Sequence, residues 1–553
     1  TGMRVAVVGA GVSGLAATKC CLDEGLEPTC FEQSQDIGGL WRYTEHIEAG
    51  RPSIYPSLIS NTSKEMSAFS DFPFPEHFPV FLPNALLLEY LRRYAERFGL
   101  RQRISFGVSD AALLRPAARP CWVPLVTLLP SPFQTTVVSI RKHPDFATTG
   151  QWHVVTEAGG KQTSDVFDAV MVCSGSFSEP SLPLECFPGI ERFRGQYFHS
   201  RQYKHPDVFQ GKRVLVVGMG NSGVDIAVEA SRVAAKVTIS TSRGSWLLSR
   251  VFEHGYPWDM VSITRLKNLI KTRLPRALSW WLINSKVNKR FNHTNYGLQP
   301  DNRYFLALLN DDLPSYILTG RITIKPGVKE FRDSSVLFHN CPEEEPVDIV
   351  VFCTGYNVSF PFLEESVVRM ENKHASLYKY VFPTHLQKPT LAVLGLIKPF
   401  GPILPVVEMQ ARWVSRVFKG MGANVSPPVP QNAGWTPFIP PAREIPELRI
   451  LKTEWLVYLD TLASLIGAKP SVLGLLCTDP KLALTIFFGP CSPYQFRLGG
   501  PGCWQGARQA ILTQWDRVIK PTRTRVPAGS SSSFPSLLLV GFLLLLAAVI
   551  FGF

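Results

Sequence analysis

Cysteine is scarce and poorly arranged for chemistry. The chain of 553 residues has 11 of them, an odd number, and no two stand in a C-x-x-C spacing. That arrangement disfavours a disulfide-stapled secreted module and a zinc module, and suits a reducing compartment. Runs of basic residues are also missing. The formal net charge is +13, but the Lys and Arg are scattered, which argues against nucleic acid. A phosphate-bearing cofactor or an acidic membrane surface remains as the anionic partner. The first strand pattern begins at Arg4, so no signal peptide is expected. With 45% hydrophobic and 18% charged residues, the chain has the composition of a folded protein, and its length predicts about three or four domains.

One long apolar run is present. FPSLLLVGFLLLLAAVIFGF (534–553) carries no charge and is about one bilayer crossing in length. Arg517, Lys520, Arg523 and Arg525 come before it, followed by AGSSSS. Basic flanks favour the cytosolic side. The run is expected to be a membrane anchor; the plain alternative is a buried core helix.

Two stretches, RVAVVGAGVSGLAA (4–17) and RVLVVGMGNSGVDIA (213–227), each read as a buried strand, a glycine turn and a helix start. In the first, Gly9, Gly11 and Gly14 enclose Ala10, Val12 and Ser13 in a G-x-G-x-x-G pattern. The first glycine makes the tight turn and the second lets a pyrophosphate approach the backbone. The third lets helix pack on strand, with the helix N-terminus facing the phosphates. The next strand, PTCFE, ends in Glu32, where an acid binds ribose hydroxyls and repels a 2′-phosphate. FAD or NAD is therefore expected there rather than NADP.

In the second, Gly218, Gly220 and Gly223 surround Asn221 and Ser222 and lead into Val224 and Asp225. The following strand, KVTIS, ends in TSRGS with no acid. Ser242 and Arg243, with Arg250 shortly after, offer a hydroxyl and cations to a 2′-phosphate. The plain alternatives are tight turns without a ligand and solvated surface arginines. After Glu32 comes DIGGLW, in which Gly38 and Gly39 let the backbone pass a bulky ligand, with Leu40 and Trp41 beside it. FAD first and NADPH second is the simplest assignment, with hydride passing from NADPH to flavin. A disulfide-reductase chemistry lacks its dithiol, because no cysteine follows Cys30 until Cys121.

Two further apolar runs, FDAVMVCSG (167–175) and VDIVVFCTGY (347–356), suit a chain passing through the flavin domain on either side of an inserted domain. The expected fold is α/β with two Rossmann-like dinucleotide-binding domains. The FAD domain would occupy 1–190 and 331–445, with the NADP domain inserted at 191–330. A C-terminal region at 450–526 and a transmembrane helix at 534–553 would follow.

Between the two glycine patterns, FRGQYFHSRQY places Phe193, Gly195, His199 and Tyr203 in the order F-x-G-x3-H-x3-Y. With that motif the sequence resembles the flavin-containing monooxygenases, the vertebrate microsomal branch in particular. A Trp in place of Tyr203 would instead point to Baeyer–Villiger enzymes. SNTSKEM, DFPFPEHFP, GYPWDM, VFCTGY and FFGPCSPYQFRL are similar to segments of the same family.

The resemblance implies that NADPH reduces FAD and that oxygen adds to the reduced flavin as a C4a-hydroperoxide. A soft nucleophile then takes the distal oxygen. The expected reaction is N- and S-oxidation of small lipophilic amines and thioethers, xenobiotics among them, in a site kept dry. By the same resemblance Asn61 stands beside the flavin as the catalytic residue, its amide donating and accepting near the peroxide. Ser60 and Thr62 contact the cofactors, Asn221 and Ser222 belong to the NADP loop, and His199 has a structural role at the domain junction. The resemblance also implies an endoplasmic reticulum membrane protein with a cytosolic catalytic body. No metal is expected.

Asn61 is by itself also a common turn former and part of an NTS sequon. Two stretches, 107–132 and the Pro-rich 424–449, depart from the family pattern. Two rivals remain: an NADPH oxidase releasing peroxide, and a membrane-bound nucleotide-binding protein without turnover because of 107–132. Preferred substrate and oligomeric state, a homo-oligomer included, are not legible.

Overall fold

The structure is a computed structural model that describes residues 2–106, 135–289, 291–300, 307–368, 370–371, 374–420 and 454–525. Segments 107–132, 424–449 and 534–553 lie outside the described residues. In chain order the elements that position the site are β1 (Arg4–Val8), α1 (Val12–Asp23), β2 (Glu27–Phe31), β3 (Ile104–Ser105), β4 (Ala169–Val172), β5 (Gln196–His199) and β6 (Arg213–Val217). They continue with α2 (Asn221–Ala230), β7 (Lys236–Ser240), β8 (Ile322–Lys325), β9 (Ile349–Phe352), β10 (Leu391–Val393) and α3 (Leu404–Phe418).

The strands form two all-parallel sheets, ordered β10-β4-β1-β2-β3 and β8-β7-β6-β9-β5. Val5 to Val8, Val214 to Val217 and all of β4 and β9 are buried. Parallel strands covered on both faces need such continuous apolar runs, and β-branched residues suit the pleat. Each sheet has its own core. That of the first gathers Val5, Val7, Leu15, Met171 and Trp413. That of the second gathers Val216, Val224, Ile239 and Val351. The two-domain α/β dinucleotide-binding fold expected from the glycine patterns is therefore present.

The expected domain boundary needs correction. The run 347–356 supplies β9, which lies between β6 and β5 in the second sheet and not in the first. A fully apolar strand such as IVVF carries no mark of which sheet it joins, and Val214 opposite Ile349 fixes it in the second. The inserted domain thus continues past residue 330. Its two crossings run side by side, because Tyr356–Asn357 pairs antiparallel with Glu179–Pro180. The chain rejoins the first sheet at β10.

The C-terminal region closes over the first domain. α3 lies along α1 and is buried almost throughout. Beyond it, Arg497 Nη2 meets Glu408 Oε1 at 2.7 Å and Asp71 Oδ2 at 2.9 Å, and Arg517 Nη2 meets Glu65 Oε2 at 2.6 Å. These pairs are buried, so removing one member leaves an uncompensated charge. Among the described residues no helix is long and apolar enough to cross a membrane.

Candidate active site at the domain junction

β1 and β6 each sit where the strand order reverses, so each sheet opens a crevice at the C-terminal end of that strand. At the first crevice, Gly9 has φ +98°, and a Cβ on Gly14 would fall 1.7 Å from the Gly9 carbonyl oxygen. Only glycines allow this turn and this helix approach. Leu15 N–H is the first amide of α1 to find an acceptor, Gly11 O at 3.0 Å. The amides of Val12, Ser13 and Gly14 have none among the described residues. DIGGLW folds back on this turn. Gly38 N–H donates to Ala10 O at 3.0 Å, and a Cβ on Gly39 would stand 3.0 Å from Gly11 Cα. Leu40 and Trp41 are half-buried in the single turn Gly39–Trp41. Glu32 is buried at the end of β2 and braces the loop. Its Oε2 accepts from Ala10 N–H at 2.7 Å and its Oε1 from Ser34 N–H at 2.8 Å.

The second crevice repeats the design. Gly218 has φ +105°, and a Cβ on Gly223 would lie 2.2 Å from its carbonyl oxygen, whereas one on Gly220 would meet open space. Asn221 and Ser222 are exposed on the first turn of α2, and Asn221 Oδ1 accepts from Leu309 N–H at 3.1 Å. Val224 and Asp225, grouped with this loop from sequence, face away from it. Val224 is fully buried in the core, and Asp225 accepts from Tyr55 Oη at 2.7 Å and Asn310 Nδ2 at 3.1 Å. One and two residues past Gly223, the side chains point toward the sheet and the neighbouring domain. Burial raises the Asp225 carboxyl above its ordinary range, against the hydrogen bond from Tyr55. Ser242 and Arg243 are exposed just beyond β7.

Between the crevices, residues 55–63 of the first domain lie along the second and are stitched to it. Besides the Tyr55 bond to Asp225, Ser57 Oγ donates to Glu229. Arg250 Nε donates to Ser60 O at 3.2 Å, and Arg250 Nη2 donates to Asn61 Oδ1 at 2.7 Å. Trp258 Nε1 donates to Asn61 O at 2.8 Å. Ser63 donates through N–H (2.7 Å) and Oγ (3.0 Å) to Asp259 Oδ2. Asp259 is fully buried, which pushes its carboxyl up to about 6 despite these bonds.

Arg250, expected beside Arg243, bonds across to the first domain. Its guanidinium donates to Ser60 O and Asn61 Oδ1 there, with Asp311 Oδ2 3.6 Å from Nη1. The side chains of Ser60 and Thr62 bond within the first domain. The buried Ser60 hydroxyl donates to Thr62 O (3.0 Å) and accepts from Leu82 N–H (2.8 Å), while Thr62 Oγ1 pairs with Ser67 Oγ at 2.8 Å. The amide nitrogen of Asn61 has no acceptor among the described residues.

The F-x-G-x3-H-x3-Y motif packs within the inserted domain and meets the first at Tyr203, whose ring lies 5.6 Å from that of Tyr55. Phe193 packs on Phe331 at 5.6 Å. A Cβ on Gly195 would sit 2.4 Å from the Phe193 ring and 2.5 Å from Asp348 O. His199 Nδ1 accepts from Arg201 N–H at 3.1 Å and Nε2 faces Gly355 O at 2.9 Å. That pairing is satisfied by a neutral ring, and burial lowers the His199 pKa. Tyr203 Oη donates to Glu229. Sequence reasoning missed Tyr55, Trp258, Asp259 and Asn310. In the sequence GYPWDM is only a segment similar to the family, and nothing in it announces a bond to Asn61.

The sequence model of the flavin-binding monooxygenase-like family matches residues 2–115 and 127–553. The chain belongs to that family. The break in the match, 116–126, falls inside the atypical stretch 107–132, and the match runs unbroken through 424–449. Over 544 residues the chain is 55% identical to flavin-containing monooxygenase 1 of Canis lupus familiaris, covering 97% of this chain and 96% of that protein. It is 52% identical over 555 residues to dimethylaniline monooxygenase [N-oxide-forming] 2 of Macaca mulatta, covering 99% and 98%. Among solved structures, S-allyl-L-cysteine S-oxygenase from Allium sativum shares the fold with a TM-score of 0.51 at 21% identity, covering 98% of this chain and 97% of that one. The family expected from the F-x-G-x3-H-x3-Y motif is thus the family found, and its members are flavin-binding monooxygenases.

Proposed function

We propose that this monooxygenase uses NADPH and O2 to place one oxygen atom on the nitrogen or sulfur of small lipophilic amines and thioethers, with FAD at the first crevice and NADPH at the second. When bound, the flavin supplies the two-electron chemistry that lets oxygen react. The observation that carries the reading is Asn61. Both of its oxygens are engaged from the second domain, which leaves N–H donors at the junction. The glycine cradles and open first-turn amides fit the phosphates of two dinucleotides. Val12, Ser13 and Gly14 would hold one pyrophosphate, with Glu32 at the adenosine ribose. Asn221, Ser222 and Gly223 would hold the other, with Ser242 and Arg243 toward the 2′-phosphate. Asn61 would stabilise negative charge developing on oxygen at the junction and so keep oxygen on the path to product.

Purified protein should contain flavin and turn NADPH mainly into oxygenated amine or thioether. If NADPH ends wholly as hydrogen peroxide, the protein is an oxidase. Protein that binds nucleotide without turnover would support the inactive reading.

The charge-free run 534–553 and the basic residues before it support anchoring in the endoplasmic reticulum membrane with the catalytic body in the cytosol. A chain ending at Val526 should move largely to the soluble fraction. Full retention in membranes, or a glycan on Asn61 or on Asn292 of the sequon NHT, would contradict this placement.

A further inference from the structure

We propose that Arg250 is a positioning residue for oxygen transfer, fixing the amide of Asn61 so that only its N–H groups face the junction. The inference rests on the function proposed above for Asn61. A guanidinium has donors and no acceptor. The Asn61 atom 2.7 Å from Arg250 Nη2 must therefore be the carbonyl oxygen. Rotating the amide by half a turn would set donors against donors in a partly buried place and lose a charge-assisted bond. Trp258 fixes the backbone of the same residue by donating to Asn61 O at 2.8 Å.

Both donors come from one closed loop of the inserted segment, whose Trp258 ring packs on Phe400 and whose next turn buries Met260 in the first domain's core. Trp258 N–H donates to Arg250 O at 3.1 Å, and Val251 bridges Pro257. Asp311 orients the arginine from the other side, taking Arg250 N–H at 3.1 Å and lying 3.6 Å from Nη1. The amide that sequence reading expected both to donate and to accept is left to donate. Its direction is set by a loop held between Asp311 of the inserted domain and the core of the first.

Full-length protein carrying Arg250→Gln tests this, because Gln can offer either end of its own amide to Asn61 and no longer dictates the orientation. The fraction of NADPH ending as peroxide should rise at least about five-fold, the equivalent of one ordinary hydrogen bond. NADP+ affinity, titrated on the oxidised protein, should stay within about two-fold, because the residue is not at the 2′-phosphate. In an Asn61→Ala background, Arg250→Gln should add almost nothing to peroxide release. Arg250→Lys, which keeps one donor, should recover part of the coupling, and it carries the test if Arg250→Gln loses its flavin.

A ten-fold loss of NADP+ affinity with unchanged coupling would return Arg250 to the phosphate site. An equal rise in peroxide with Asn61 already removed would show that the arginine acts by another route. Either result overturns the proposal. Thermal midpoints of the two single variants and the double variant need no turnover. Non-additive shifts support the contact even if the wild-type protein makes no oxygenated product, and additive shifts refute it.

Discussion

Asn61 and Arg243 divide the chemistry at the scale of single residues. Arg243 is exposed beyond β7, where no acid follows the strand. If it meets a 2′-phosphate, Arg243→Ala should raise the Michaelis constant for NADPH by roughly ten-fold and leave NADH use nearly unchanged, since a charge-assisted bond contributes about 1.5–3 kcal/mol. Steady-state kinetics with both cofactors checks it, and equal effects would refute the assignment. The glycines of both loops were legible in the sequence because their reason is local: Gly14 and Gly223 lie against carbonyl oxygens five residues back in their own turns. Arg250 is not legible as a partner of Asn61 for the opposite reason. Its nearness to β7 along the chain says nothing about a loop that turns back and delivers the guanidinium to another domain.

Elements show the same division. The strands around both glycine turns were legible as apolar runs, yet β9 was assigned to the wrong sheet, since IVVF is buried on every side in either place. The paired crossings Glu179–Pro180 and Tyr356–Asn357 are two residues each, too short to leave a periodic pattern. In the F-x-G-x3-H-x3-Y segment, the sequence showed the residues but not their work. Gly195 lies under Asp348 O at a distance no side chain allows. Gly195→Ala should therefore destabilise the inserted domain by about 1–3 kcal/mol, the range for overpacking. Thermal unfolding of the full-length protein measures this, and a midpoint equal to wild type would show that the backbone yields there freely.

Across the whole molecule, function depends on how the two domains meet, and Asp259, buried against Ser63 beside that junction, makes folding stability sensitive to pH. Its carboxyl titrates near 6 in the folded protein and near 3.9 in an unfolded chain, so folding favours the protonated form. The stabilisation is fully present below about pH 3.9 and is lost as pH rises through 6, a change of about 3 kcal/mol. Asp259→Asn removes this titration. The stability of wild type relative to Asp259→Asn should fall between pH 4 and 6 and then level off. Denaturant midpoints across that range follow it, and a flat difference would mean that Asp259 is ionised throughout.

The central claim is that Asn61 N–H groups at this junction keep oxygen directed to product. Stoichiometry in one vessel decides it: NADPH consumed, thioether or tertiary amine oxygenated, and hydrogen peroxide released, for wild type and Asn61→Ala. Wild type should convert most of its NADPH into oxygenated product. Asn61→Ala should still bind flavin and consume NADPH, but with roughly 5- to 150-fold more peroxide per product, the equivalent of about 1–3 kcal/mol for a lost donor in a dry site. An unchanged ratio of peroxide to product in Asn61→Ala would contradict the account.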